Sequence, residues 1–243
     1  MMKMKSLLLA ATLTLAFAAS AQIPTPVIDL KCNAGDFAAL QDVSANKCQV
    51  VLKNQDLMEW SDGPAGKTIA FKNENIEAKQ KRAELALRLP QGFDSTKGFT
   101  LLFNFKTPAD YQYKKRYQLL HYAQGVDTVT GFSLFVYWRS ITLRYGTASK
   151  KGISTKATEI PIRPDTWYDV AVTYDGKRAA IYINGKLAAE ATDAVIPMPK
   201  MRNPTLFVGG TGATGAGYGF SGIISKVQLY DRALTADEVA DIE

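Results

Sequence analysis

Over 243 residues the chain carries 29 lysines and arginines against 23 aspartates and glutamates, with one histidine and two cysteines. The positive excess is mild. Its clusters, such as Lys114, Lys115 and Arg116, are short and lack the regular aromatic interleaving of a nucleic-acid footprint, so that class is set aside. So little histidine and cysteine also excludes a metal centre built on those ligands. The balance suits an acidic polysaccharide or an anionic cell surface better than DNA.

The first residues have the layout of an export signal: Lys3 and Lys5, an apolar run over residues 7–18, and the small residues Ala19, Ser20 and Ala21. Cleavage is expected before Gln22, giving a signal peptide over 1–21 and a single domain over 22–243. Removing the two lysines leaves 27 basic against 23 acidic residues, a net charge of +4. The apolar run is too short to cross a bilayer as a helix, and no later stretch is continuously apolar over such a length. The mature chain is therefore expected to be secreted or periplasmic. In that oxidising setting Cys32 and Cys48 are expected to form a disulfide, which in the chain-entropy model would contribute about 3 kcal/mol.

Residues 27–53 read as a first strand followed by a polar, turn-rich loop, and residues 67–73 as a short strand. Arg82, Glu84, Ala86 and Arg88 then alternate with Ala83, Leu85, Leu87 and Leu89, a period-two pattern that points the leucines inward. Strands follow over 97–108, 118–123 and 131–138, with 140–145 returning from a hairpin. Further on, Asp175-Gly176 and Asn184-Gly185 each separate alternating apolar runs, the strongest short-range hairpin signal. Gly210 to Gly215 spells a glycine pattern known from phosphate-binding turns. Here it leads into a strand over 220–230 and not into a helix, so it reads as a loop. Thr235 and Glu238 form a capping box with Leu234 and Val239 as its staple, so a short helix closes the chain. Many short strands without a sustained helical period argue for a two-sheet antiparallel jelly roll.

The segments from Trp167 to Gly176, Ile181 to Gly185 and Gly222 to Thr235 resemble the laminin-G-like, concanavalin-A-like jelly-roll family of lectin and glucanase domains. There "W-x-x-V-A-x-x-Y-D-G", "I-Y-I-N-G" and "G-x-I-x-x-V-x-x-Y-x-R-A-L-T" recur. The resemblance implies an all-β fold whose relatives mostly bind glycans or proteins, and it implies that Trp167 packs in the core. Members with calcium often carry an acidic residue where this chain has Ser225 followed by Lys226. That opposes the ion, although Asp29, Asp42 and Asp231 remain as oxygen donors. No cofactor and no metal ligand are therefore assigned. The paired-carboxylate strand of the family's glycosidases is absent. Residues 82–88 and His121 loosely resemble a jelly-roll polysaccharide lyase acting on acidic glycans. Gln118, however, stands one residue out of place and should face the other side of the strand from His121.

Aromatic residues crowd the region from Tyr111 to Tyr145, interleaved with arginines. Sugar rings stack on flat aromatic faces while arginines orient their hydroxyls. Trp138, at a hairpin tip, with Tyr137, Arg139, Tyr113 and Arg116, is the candidate ligand-binding set, and no catalytic residue is assigned. A lectin-like carbohydrate-binding module without catalysis is the first expectation. A protein-interaction or surface-structural module of the same fold is the second, and an acidic-polysaccharide lyase the third.

Overall fold

The computed structural model describes residues 23–73, 81–123, 130–145, 152–156, 159–197, 203–213 and 218–242. The expected export signal, and part of the 210–215 glycine pattern, lie outside the described residues. Two antiparallel sheets face each other, as the alternating sequence requires. The first runs in the order β13 (Lys186–Ala191), β12 (Ala179–Ile183), β11 (Trp167–Tyr174), β6 (Phe99–Lys106), β15 (Gly222–Tyr230), β4 (Gly66–Phe71) and β3 (Met58–Gly63). β1 (Ile28–Lys31) also pairs with β15, beside residues 226–229, while β4 takes residues 222–224. The second runs β10 (Gly152–Ser154), β9 (Ser140–Tyr145), β8 (Gly131–Tyr137), β7 (Tyr117–Ala123), β14 (Thr205–Val208), β5 (Glu84–Arg88) and β2 (Val50–Lys53).

The core is the set of inward residues from both sheets. Phe99 of β6 stacks on Phe132 of β8 at 4.6 Å between ring centres, and Phe105 of the same strand meets Tyr168 at 5.6 Å and Phe220 at 5.9 Å. Leu85 and Leu87 are fully buried between the sheets, as their alternation predicts. Trp167 is a correction: it is half-buried at the first position of β11, and the next residue, Tyr168, takes the inward place. A period of two allows only one of two neighbours to face the core.

α1 (Ala236–Ile242) closes the outer face of the first sheet. Its capping box is complete: the Thr235 amide donates to Glu238 Oε2 at 2.8 Å, and the Glu238 amide donates to Thr235 Oγ1 at 3.2 Å. Leu234 and Val239 pack with Leu102, Ala171, Ala180, Tyr182 and Tyr230 on the sheet. This helix covers part of the first sheet's outer surface.

The cysteine expectation is overturned. Cys32 and Cys48 are free thiols. Cys48 lies against the start of β1, its thiol 3.8 Å from the Val27 carbonyl, whereas Cys32 extends the other end of that strand, its amide bonded to Ser225. Five extended residues separate those positions by about 16 Å, against the ~7 Å between Cα atoms that a disulfide tolerates. Both thiols are pushed up to about 12, Cys32 by burial and Cys48 by burial and then by the neighbouring Asp42 carboxylate.

Asp42 does the work of a cross-link in this loop. Its carboxylate accepts the amides of Asp29, Ser44 and Cys48 at 2.8, 3.0 and 2.7 Å and the Ser44 hydroxyl at 2.8 Å. Burial opposes its ionisation, but these donors outweigh burial and hold the pKa below its ordinary 3.8. Its stabilising contribution is thus complete above 3.8 and is lost as pH falls through the lower folded value. Asp42→Asn is expected to cost about 1–3 kcal/mol at neutral pH, the scale of buried amides left without an acceptor. It should also flatten the acid loss of stability. Some acid sensitivity will persist through Glu238, held at about 2 by Arg232 and the Thr235 amide. Denaturant titrations across pH measure both effects.

Candidate functional site

Along β8 the residues Phe132, Leu134 and Val136 enter the core, so Ser133, Phe135 and Tyr137 line the outer face of the second sheet. The hairpin to β9 turns through Trp138 and Arg139, between the paired Tyr137 and Ser140. Both turn residues are left-handed, with φ of 50° and 61°. A two-residue turn of this hand demands positive φ twice and normally takes Asn-Gly; for side chains with a Cβ it costs about 1–2 kcal/mol per residue. Trp138 nonetheless stands 50 % exposed at the tip.

The β6–β7 connection delivers the partners. Tyr113 accepts the Trp138 amide on its carbonyl at 2.8 Å, and its ring meets the indole edge-on at 5.3 Å. Tyr137 also meets the indole edge-on, at 5.9 Å, and the Arg139 guanidinium lies 5.2 Å from the Tyr113 ring centre. The structure therefore brings Tyr113, Tyr137, Trp138 and Arg139 into one exposed aromatic rim. Behind it a cavity of about 300 Å³ opens between Tyr111, Tyr113, Arg139 and residues 161–164. Its walls are pinned: the Ile162 amide donates to the Arg139 carbonyl at 2.9 Å, and Thr107 Oγ1 donates to the Arg163 carbonyl at 2.5 Å. The sequence reading missed Arg163, since nothing in an isolated Pro-Ile-Arg-Pro segment says that it folds back beneath the hairpin.

Arg116 sits away from this rim. Its guanidinium is stacked between Phe135 at 3.8 Å and Tyr218 at 4.3 Å, and it donates to Gln118 Oε1 and Ser133 Oγ. Gln118 in turn donates to Ser133 Oγ at 2.8 Å, and His121 Nδ1 lies 3.2 Å from the same hydroxyl. The expected separation of Gln118 and His121 is wrong: a bulge between Gln118 and Leu120 shifts the register, so Gln118 pairs with Phe135 and His121 with Ser133 on one face. Arg116 and Gln118 are obligate donors to Ser133 Oγ, and the same hydroxyl holds His121 Nδ1 within hydrogen-bond distance. The cluster is deep, with Gln118, His121 and Ser133 at no more than 1 % exposure. Its chemistry is that of a buried polar network holding the floor of the sheet.

Among the described residues nothing comparable gathers for a metal. Asp42 is engaged as described, Asp29 Oδ1 accepts from Gln228 at 3.0 Å, and Ser225 donates to Asn104. Among the described residues no three histidines, cysteines or carboxylates cluster for an ion, and no described helix is long and apolar enough to cross a membrane.

A family model for the concanavalin A-like lectin/glucanase superfamily matches residues 81–240, from the strand before β6 to the closing helix. The chain belongs to this superfamily. No curated protein is similar to it in sequence. Among solved structures, this concanavalin A-like chain is similar to the binding domain of Paraclostridial Mosquitocidal Protein 1 (TM-score 0.66, 15 % identity) and to that of botulinum neurotoxin serotype D (TM-score 0.64, 12 % identity). It also resembles the binding domain of botulinum neurotoxin DC in complex with SialylT (TM-score 0.63, 12 % identity). In the first two alignments 90 % of this chain covers 51 % of the other, and in the third 90 % covers 50 %. The chain thus spans about half the length of these neighbours, and at such identities the likeness establishes the fold alone.

Proposed function

We propose that this chain is a non-catalytic, lectin-like carbohydrate-binding module that works outside the cytoplasm, exported by the signal read at residues 1–21. The observation that carries the reading is the Trp138-Arg139 turn. Two large side chains hold a backbone conformation suited to Asn-Gly, and the indole is presented to solvent beside a preformed cavity. Strain retained at an exposed position points to use of the side chain that causes it. A sugar ring would stack on Trp138 and Tyr113, with Tyr137 and Arg139 at its edges. The presence of a glycan complex among the structural neighbours is in keeping with this reading. Titration of the purified mature chain against a panel of soluble glycans, followed by calorimetry, is expected to find at least one ligand whose binding quenches tryptophan fluorescence. A chain that binds no glycan but captures a protein partner would instead establish a protein-interaction module.

A lyase has one observation in its favour, the shared face of Gln118 and His121 on the second sheet. Against it stand the burial of both and the engagement of His121 Nδ1 with Ser133. Release of unsaturated products from a uronate polymer, abolished in His121→Ala, would replace the first reading.

A further inference from the structure

The cavity behind the aromatic rim has a chemistry of its own. Arg139 and Arg163 line it from two different segments, and among the described residues neither guanidinium pairs with a carboxylate. The nearby Asp165 is already bonded to Lys106 at 2.5 Å. Tyr111 forms the inner wall. Among the described residues its buried hydroxyl makes no hydrogen bond of normal geometry, and the Arg139 backbone amide is the donor that approaches it. Burial pushes that phenol's pKa up to about 12, so the wall stays uncharged and does not repel an anion. Lys114 adds charge beside the rim, 5.8 Å from the Tyr113 ring centre.

We propose that this cavity takes the negatively charged substituent of an acidic glycan, held between the Arg139 and Arg163 guanidinia while the sugar ring rests on Trp138. The inference builds on the glycan reading above and adds the class of sugar. About 300 Å³ is at the small end of ligand pockets, room for a substituent or one sugar unit and not for a chain. The glycan would therefore run across the rim and send one anionic group inward. Arginine pairs suit carboxylate and sulfate oxygens alike, because each guanidinium presents parallel N–H donors. Uronic acids and sulfate esters are the two sources of that chemistry.

The test is calorimetry of the full mature chain with four probes: a short oligouronate, its carboxyl-reduced form, a sulfated galactan oligosaccharide and its desulfated form. One acidic probe should bind roughly ten- to a hundredfold tighter than its neutral counterpart, the scale of one or two charge-assisted hydrogen bonds. Which acidic probe it is identifies the source. Arg163→Gln should cut that preference severalfold or more by weakening the acidic probe, with a smaller change for its neutral counterpart. The backbone bonds of Arg163 to Thr107 and to the Tyr168 hydroxyl do not involve its side chain, so the fold should persist. Arg163→Lys should retain part of the preference. Equal binding of acidic and neutral forms by the wild type would overturn this inference and leave the glycan reading standing. No binding of any of the four, with an acidic peptide bound instead, would overturn both.

Discussion

Trp138→Gly is expected to weaken glycan binding by about 1–3 kcal/mol, the loss of an aromatic anchor, while leaving the melting temperature close to that of the wild type. The two effects separate because of where the indole sits. It is half exposed and touches Tyr113 and Tyr137 edge-on, contacts worth about 0.5–1.5 kcal/mol apiece at most. Against that loss, glycine at φ 50° relieves about 1–2 kcal/mol of left-handed strain. The net change in stability should lie between about 1 kcal/mol gained and about 2 kcal/mol lost, whereas truncating a core tryptophan costs roughly 3–5 kcal/mol. Glycan titrations and thermal melts of the two proteins measure both quantities. A variant that melts many degrees early would show the indole to be structural. One that binds its glycan like the wild type would remove Trp138 from the site.

Why some of this was legible in the sequence is clear from particular residues. Asn184-Gly185 adopts φ of 49° and 72° between strands β12 and β13, because asparagine and glycine meet the turn's demand for positive φ cheaply. Thr235 and Glu238 cap α1 through contacts three residues apart. Local chemistry decides such features. Asp175-Gly176 was half right: only Gly176 is left-handed, and Asp175 instead accepts the Lys177 and Arg178 amides on Oδ1, so the loop runs longer before Tyr174 pairs with Ala179.

What failed depends on register and distance. The spacing of Cys32 and Cys48 along the chain says nothing of the straight strand that carries one away from the other. Gln118 joins His121 through a single bulged residue, and the only trace in sequence is the odd separation of two polar residues within an otherwise apolar run. Arg116 shares its neighbourhood in sequence with Tyr113 but turns under Tyr218, which comes from the far end of the chain. Likewise the Arg163 side of the cavity is assembled from a segment whose role is set only by its bonds to Thr107 and to the hairpin tip. The rim was found because exposed aromatics at a turn are a local signal. The cavity was missed because it exists only between segments.

Phe132→Ala is expected to produce the largest loss of stability of the substitutions considered, about 3–5 kcal/mol. Phe132 is buried at the start of β8, stacked on Phe99 of the opposite sheet at 4.6 Å and 5.5 Å from the ring centre of Tyr122. Phe99 in turn meets Tyr174 at 5.7 Å, so removing one ring opens a void among several that cannot collapse together. A domain of this size has roughly 5–15 kcal/mol of stability, so the change removes a substantial fraction of it. At roughly 2–4 °C per kcal/mol the melting temperature should fall by about 6–20 °C. The same strand carries Phe135 and Tyr137 on its other face, and the alternation that separates core from site makes a further demand on the result. Well below its lowered melting temperature, Phe132→Ala should bind glycan with nearly wild-type affinity, because the rim is anchored by the Tyr113–Trp138 contact and not by the stack on Phe99. A melting temperature within a few degrees of the wild type would mean that the two sheets are not joined through this stack. Lost affinity in the folded variant would mean that the core and the rim are not separable along β8.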